Sequence, residues 1–173
     1  MFTIKRHIEL DAGHRVPAHD GACRFLHGHR YRVTACLIGH SLAEEGSAQG
    51  MVMDFGQLKQ CMMQSIHAPY DHRLILWARD PLLDDRVLTV LLHEQGLRDG
   101  LILVEQVPTA ENLARAWYMC LNHALPELMR WLLYSVEVHE TPNSVAVFAT
   151  HTIPDHLARL AQRLLVNKRR SAQ

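Results

Sequence analysis

The sequence predicts an α+β fold. Three observations carry that prediction: strict apolar/polar alternation near both ends of the chain, apolar stripes at helical spacing between them, and the order strands, helices, strands. Residues 2 to 11 alternate, with Phe2, Ile4, Ile8 and Leu10 on one face and Thr3, Lys5, His7 and Glu9 on the other. That is a strand with one buried side. Residues 12 to 28 read as a loop, marked by Gly13, Pro17, Gly21 and Gly28. A second strand runs from about His29 to Gly39, and the polar SLAEEGSAQG is a turn. MVMDF reads as a short strand end. Asp54 then caps a helix whose stripe is Phe55, Leu58, Met62 and Ile66.

Tyr70-Asp71-His72 lies in a loop after Pro69. Asp80-Pro81 opens a second helix ending near Gly96, with cap and first-turn proline in their preferred order. LILVEQV, 101 to 107, is a strand. Pro108-Thr109 starts a third helix carrying Leu113, Trp117, Cys120 and Leu121. Residues 132 to 140 and 144 to 150 are strands joined by a turn at Pro142-Asn143, and 154 to 173 is an amphipathic helix ending in a basic run. The expected organisation is one domain over 1–173, with an inserted helical segment at about 78–100 and an extra C-terminal helix at about 154–173.

A chain of 173 residues is long enough to bury a core, and 48% hydrophobic with 21% charged residues is a soluble globular composition. Eighteen basic residues balance eighteen acidic ones, which argues against bulk nucleic-acid binding. No apolar run reaches the ~18 residues needed to span a bilayer, so no membrane partner is expected. The first residues lack the apolar core of a signal peptide. Cys23, Cys36, Cys61 and Cys120 are scattered without paired spacing, as for reduced thiols in a cytoplasm.

The unusual count is thirteen histidines. His27 and His29 sit two apart at the start of a strand and project from the same face. If the first two strands pair antiparallel, His14 comes beside them. Three imidazoles without a fourth protein ligand describe a catalytic zinc site with one open position. Alternatives stand beside this reading. His19 competes as third ligand, Cys23 as a fourth ligand would close a structural site, and a lone histidine is more often a surface residue. Asp71-His72 offers a carboxylate that can orient an imidazole, and Cys23 is a thiol that a nearby cation would activate. Glu140 ends the alternating strand VEVHE, where a carboxylate can accept two N–H donors from a planar ring; the bland reading is an exposed hairpin residue. Thr109-Ala110-Glu111-Asn112 is accounted for by helix capping.

LDAGHR, CRFLHGHRYRV, GMVMDFGQLK, YDH, PTAEN and VHETPNS, in this order, resemble the 6-pyruvoyl-tetrahydropterin synthase family, and most closely its bacterial 6-carboxytetrahydropterin synthase branch in queuosine biosynthesis. The resemblance spans residues 9 to 144. It implies that His14, His27 and His29 hold Zn²⁺, that Cys23 is the catalytic thiol with Asp71 and His72 as acid–base partners, and that Glu140, with Thr141 beside it, anchors the pterin ring. It implies the tunnelling fold: an antiparallel sheet with helices on one face, assembled into an oligomeric β-barrel, typically a homohexamer built as a dimer of trimers. The substrate it implies is 7,8-dihydroneopterin triphosphate. Cys23, spaced from His27-Gly28-His29 as in the 6-carboxy branch, argues against a folate-linked branch that carries glutamate there. The chain departs from the family pattern in AGH where AAH is usual, in RLILW where an asparagine commonly follows Asp-His, and in the long link between Asp71-His72 and PTAEN.

Overall fold

The computed structural model describes residues 1–86, 90 and 97–150. Two long strands form its centre, β1 (Phe2–His14) and β2 (His27–Gly39), paired antiparallel along their whole length. Even positions of β1 and odd positions of β2 share one face. Ile8, Leu10, Ala12, Tyr31, Val33, Ala35 and Leu37 are buried there. A run of eight or more residues in strict alternation fixes register, because a slip of one would turn this face to solvent.

Among the described residues the sheet has six strands in the order β4-β3-β1-β2-β5-β6, with β3 at Arg73–Trp77, β4 at Leu101–Val104, β5 at Leu133–Thr141 and β6 at Ser144–Ala149. It is mixed: β3 runs parallel to β1 and to β4, while the other pairs are antiparallel. The sequence reading placed no strand at RLILW. That segment is a short apolar run with Ile75 and Leu76 fully buried, the pattern of a strand in a parallel pairing, and alternation does not reveal it.

Helices cover the core face. The segment after Asp54 begins as α1 (Phe55–Met62), widens to a π turn over Met63–His67 and ends as the short α2 (Ala68–Tyr70). The Asp54 carboxylate caps α1 by accepting from the Gln57 N–H at 2.9 Å, and Leu58, Met62 and Ile66 are buried as the stripe requires. Phe55 is not part of that stripe: it is 50% exposed. α3 (Ala110–Ala124) starts at Thr109, whose hydroxyl accepts from the Asn112 N–H, and buries Leu113, Ala114, Trp117, Tyr118 and Leu121.

Several boundaries move. β1 continues to His14 and β2 starts at His27, so the pairing extends through residues expected in a loop. MVMDF forms no strand, and the strand at 101 stops at Val104, ahead of Pro108, which lacks the N–H that a ladder needs. Asp80 caps a 3₁₀ turn at Pro81–Asp84, accepting from the Leu82 N–H at 2.9 Å. The body of the helix expected to end near Gly96 lies outside the described residues, as does the whole of 154–173.

Candidate metal centre and the residues around it

The register of β1 and β2 sets His14 opposite His27 and Ala12 opposite His29. Partners across a ladder point the same way, as do residues two apart on one strand. The three imidazoles therefore leave the core face together. Their ring centroids lie 4.5 Å (His14–His27), 5.1 Å (His14–His29) and 5.0 Å (His27–His29) apart. One nitrogen from each comes within 4.8 Å of the other two. Tyr31 lies edge-on to both His14 and His29 and carries the contact down to Trp117 in the core.

Each ring is oriented by a backbone carbonyl. His14 Nδ1 lies 2.6 Å from the Pro108 carbonyl oxygen, and His27 Nδ1 lies 2.8 Å from that of Phe25. A carbonyl only accepts, so both Nδ1 atoms carry the hydrogen and both Nε2 atoms present lone pairs. His29 donates to the backbone carbonyl of Glu140. This is how metal-binding histidines are fixed by their surroundings. The His14 Nε2 atom is buried without a hydrogen-bond partner among the described residues, which costs free energy unless a ligand engages it. Its nearest anionic neighbour is Glu140 Oε1 at 3.7 Å. Burial pushes the His14 imidazole down to about 4, with the Pro108 carbonyl opposing and the neighbouring His27 and His29 adding to the fall. Burial, then His27, also lowers His29. Neutral imidazoles are the form that a metal takes. The donor set fits a divalent cation with nitrogen preference.

Neither alternative ligand joins the group. His19 is exposed, and its Nδ1 accepts from the Gly21 N–H at 2.8 Å. Cys23 sits in a 3₁₀ turn, Ala22–Arg24, half-buried, outside the set of mutually close donors among the described residues.

Glu140 is brought beside the triad by the end of β5, and its side chain is 24% exposed. Burial raises its carboxyl; His27 opposes this and Glu111 adds to it. Glu111 is the residue the sequence reading passed over. Its segment is a helix start, as expected, and the Pro108 carbonyl three residues before it holds His14, while the Glu111 charge acts on Glu140. Spacing alone held no signal for this, because the contact joins residues 94 apart in the chain. Thr141 is exposed, and its hydroxyl accepts from the Asn143 N–H at 3.3 Å within the β5–β6 turn.

Asp71 and His72 do form a pair: His72 Nδ1 donates to Asp71 Oδ2 at 2.8 Å. The carboxylate is also held by the Asp11 N–H on Oδ1 at 3.0 Å, the main reason that its pKa lies below the usual carboxylate range. The His72 N–H donates to the Asp11 carbonyl at 2.7 Å, and His72 adopts a left-handed backbone with φ 58°. These contacts lie along the edge of β1 that faces β3, whereas the triad spans β1 and β2. No hydrogen bond or ion pair among the described residues joins Asp71 or His72 to Cys23 or to the three imidazoles.

The sequence signature described as "6-pyruvoyl tetrahydropterin synthase" matches residues 3–151. The chain belongs to the 6-pyruvoyl tetrahydropterin synthase family. Within it, the chain is 33% identical over 146 residues to a Rickettsia conorii protein named 6-carboxy-5,6,7,8-tetrahydropterin synthase, covering 83% of this chain and 96% of that one. It is 36% identical over 137 residues to a Halobacterium salinarum protein named as a probable enzyme of the same kind, covering 79% of each. The solved 6-pyruvoyl tetrahydropterin synthase of Caenorhabditis elegans superposes with a TM-score of 0.59 at 25% identity, covering 87% of this chain and 96% of that one. The six-stranded sheet with helices on one face is accordingly this family's tunnelling fold. Membership also makes this an enzyme of the tetrahydropterin synthase type. No helix among the described residues is long and apolar enough to cross a membrane.

Proposed function

We propose that the protein is a zinc-dependent lyase that converts 7,8-dihydroneopterin triphosphate to 6-carboxy-5,6,7,8-tetrahydropterin, releasing acetaldehyde and triphosphate, as a cytoplasmic step of queuosine biosynthesis. The observation that carries this is the buried, partnerless Nε2 of His14 within a three-imidazole set, facing a carboxylate suited to a pterin edge. The names of the relatives at 33% and 36% identity support the product.

His14, His27 and His29 hold the zinc, which when bound supplies Lewis acidity toward the side-chain hydroxyls of the substrate. Glu140, with Thr141 beside it in chain, fixes the pterin ring through its ring N–H and exocyclic amine. Cys23 and the Asp71–His72 pair move protons to and from the side-chain carbons. The product carboxyl carries one oxygen more than the hydroxyl it replaces, so a water is consumed. The electrons lost by the side chain reduce the dihydropterin ring, and no redox cofactor is needed. No hydrogen bond or ion pair among the described residues joins Asp71 or His72 to Cys23, which supports the reading that the pair serving Cys23 belongs to a neighbouring copy. A single domain over 1–173 assembling as a homohexamer, two trimers back to back, accommodates this. Among the described residues β4 and β6 are the outer strands of the sheet, and with the exposed Val145 and Val147 on β6 they are consistent with sheet-to-sheet assembly.

Incubation with 7,8-dihydroneopterin triphosphate, followed by mass analysis of pterin and aldehyde, tests the reading. A 6-carboxy product with acetaldehyde is expected. A pterin retaining its three-carbon side chain would assign the chain to 6-pyruvoyl chemistry instead, and zinc binding without turnover would make it a non-catalytic zinc protein.

A further inference from the structure

The loop that carries Cys23 is anchored at its base by a residue far along the chain. β1 and β3 run parallel, with His14 opposite Ile75, so both strands finish at the same end of the sheet. Arg15 is the first residue past β1, and Asp80 follows shortly after β3. The two meet there. Arg15 Nε lies 3.1 Å from Asp80 Oδ2, with the arginine side chain 18% exposed and the aspartate fully buried. The two atoms are not aligned for a hydrogen bond, so the contact is an ion pair.

Asp80 is itself held fast. Its N–H donates to the Trp77 carbonyl, its carbonyl accepts from the Leu83 N–H, and its Oδ1 accepts from the Leu82 N–H, each at 2.9 Å. With those groups engaged, Oδ2 is the atom that faces Arg15. On the other side of the pair, Val16 donates its N–H to the Cys23 carbonyl at 2.8 Å and accepts from the His19 N–H at 3.0 Å. The contacts are therefore consecutive: Asp80 holds Arg15, and the residue after Arg15 holds Cys23.

We propose that Asp80 is a positioning residue: through Arg15 it locks the base of the loop 15–26 and so sets where the Cys23 thiol stands relative to the three imidazoles. This rests on Cys23 being the proton-moving thiol of the reaction. A buried ion pair adds little net stability, because desolvating two charges offsets much of their attraction. It does hold one geometry, since a swing of either group would leave a buried charge unmatched. Displacing a reacting group by about 1 Å costs on the order of 10²-fold in rate, so a firm loop base bears on kcat. The metal donors do not depend on this pair, because His14 is held by the β1–β2 ladder and by the Pro108 carbonyl. Asp80 belongs to the segment expected as an insertion at about 78–100, which thereby acquires a part in the reaction.

The test compares the zinc-loaded wild type with Asp80→Asn and with the double variant Arg15→Met/Asp80→Asn. Asparagine keeps an acceptor for the Leu82 N–H, and the double variant leaves neither charge of the pair in the interior, so it keeps the fold even where the single variant is unstable. Hydrogen exchange is followed by mass spectrometry on overlapping peptides, and kcat and KM are measured on the pterin triphosphate. In both variants exchange at the Val16 amide should quicken at least tenfold while the β1–β2 ladder keeps its protection. Turnover should fall at least tenfold, with KM and zinc content unchanged. A pair that serves stability alone gives another pattern: exchange quickens across the whole sheet in Asp80→Asn, and the double variant regains wild-type exchange and turnover. That pattern overturns the proposal, as does selective opening of the loop with kcat unchanged. Selective opening in a protein whose wild type is inactive on the pterin triphosphate would leave the anchor standing and overturn the substrate reading.

Discussion

His14 and His27 are directly opposed partners at the last rung of the β1–β2 ladder, their rings 4.5 Å apart. The pairing register alone therefore assembles most of the donor set, with His29 added by the two-residue period of β2. A metal content of one zinc per chain is expected. His27→Ala should lose most of it, because two imidazoles do not complete a tetrahedral site. Metal analysis of the purified variant checks this, and undiminished zinc would rule out His27 as a ligand.

Cys23→Ala should keep its zinc and lose turnover. The thiol lies outside the mutually close donors. Zinc and rate should be measured on the same preparation. Metal loss in proportion to activity would make Cys23 a ligand.

Glu140→Gln should weaken pterin binding at least tenfold with zinc unchanged. The amide turns one of two N–H acceptors into a donor facing a donor, and an unsatisfied buried donor costs roughly 1–3 kcal/mol, where about 1.4 is a factor of ten. Calorimetric titration with a pterin, alongside metal analysis, gives both readouts. Equal affinity removes Glu140 from the ring site.

The metal-free protein should lose stability on acidification between pH 6.5 and about 4. Unfolded His14 takes its proton near 6.5, whereas the folded residue does so only at about 4. In that window the unfolded state binds more protons, so stability falls as pH falls, by on the order of 3 kcal/mol from this residue, and no further below it. His29 shifts in the same sense. Denaturant titrations of chelator-treated protein across this range, compared with His14→Gln, measure the contribution.

Asp80→Ala should destabilise the fold by roughly 3 kcal/mol, lowering Tm by roughly 6–12 °C. The Asp80 side chain is fully buried, caps Leu82 and faces Arg15 Nε at 3.1 Å. Removing it takes the Asp80 counter-charge from a mostly buried guanidinium. Thermal unfolding against Asp80→Asn, which keeps the cap acceptor, separates the two losses.

What could be read in the sequence was what repeats along it. The two-residue period placed His27 and His29 on one face, the expected antiparallel pairing of the first two strands brought His14 beside them, and the caps at Asp54 and Thr109 located two helices. What escaped depended on contacts between distant segments. Arg73–Trp77 is a strand because β1 and β4 flank it, not because it alternates. The hold of the Pro108 carbonyl on His14 and the effect of the Glu111 charge on Glu140 appear only in the folded chain. The contact of Asp71 and His72 with the Asp11 backbone likewise has no local signature, since it joins residues about sixty apart in the chain.

The donor set and the rest of the site also differ in when they can form. Three imidazoles come from one antiparallel pairing closed by the loop 15–26. Hairpins of this kind form in roughly 1–10 μs, and short-range closure carries little entropic cost. Pro108 and Glu140 reach the same place only through long-range closure, which slows folding. During synthesis, the nitrogen ligands emerge and can pair while the strand that carries Glu140 is still unmade. The nitrogen donors thus depend on one local pairing, and the buried carbonyl and the carboxylate on long-range closure.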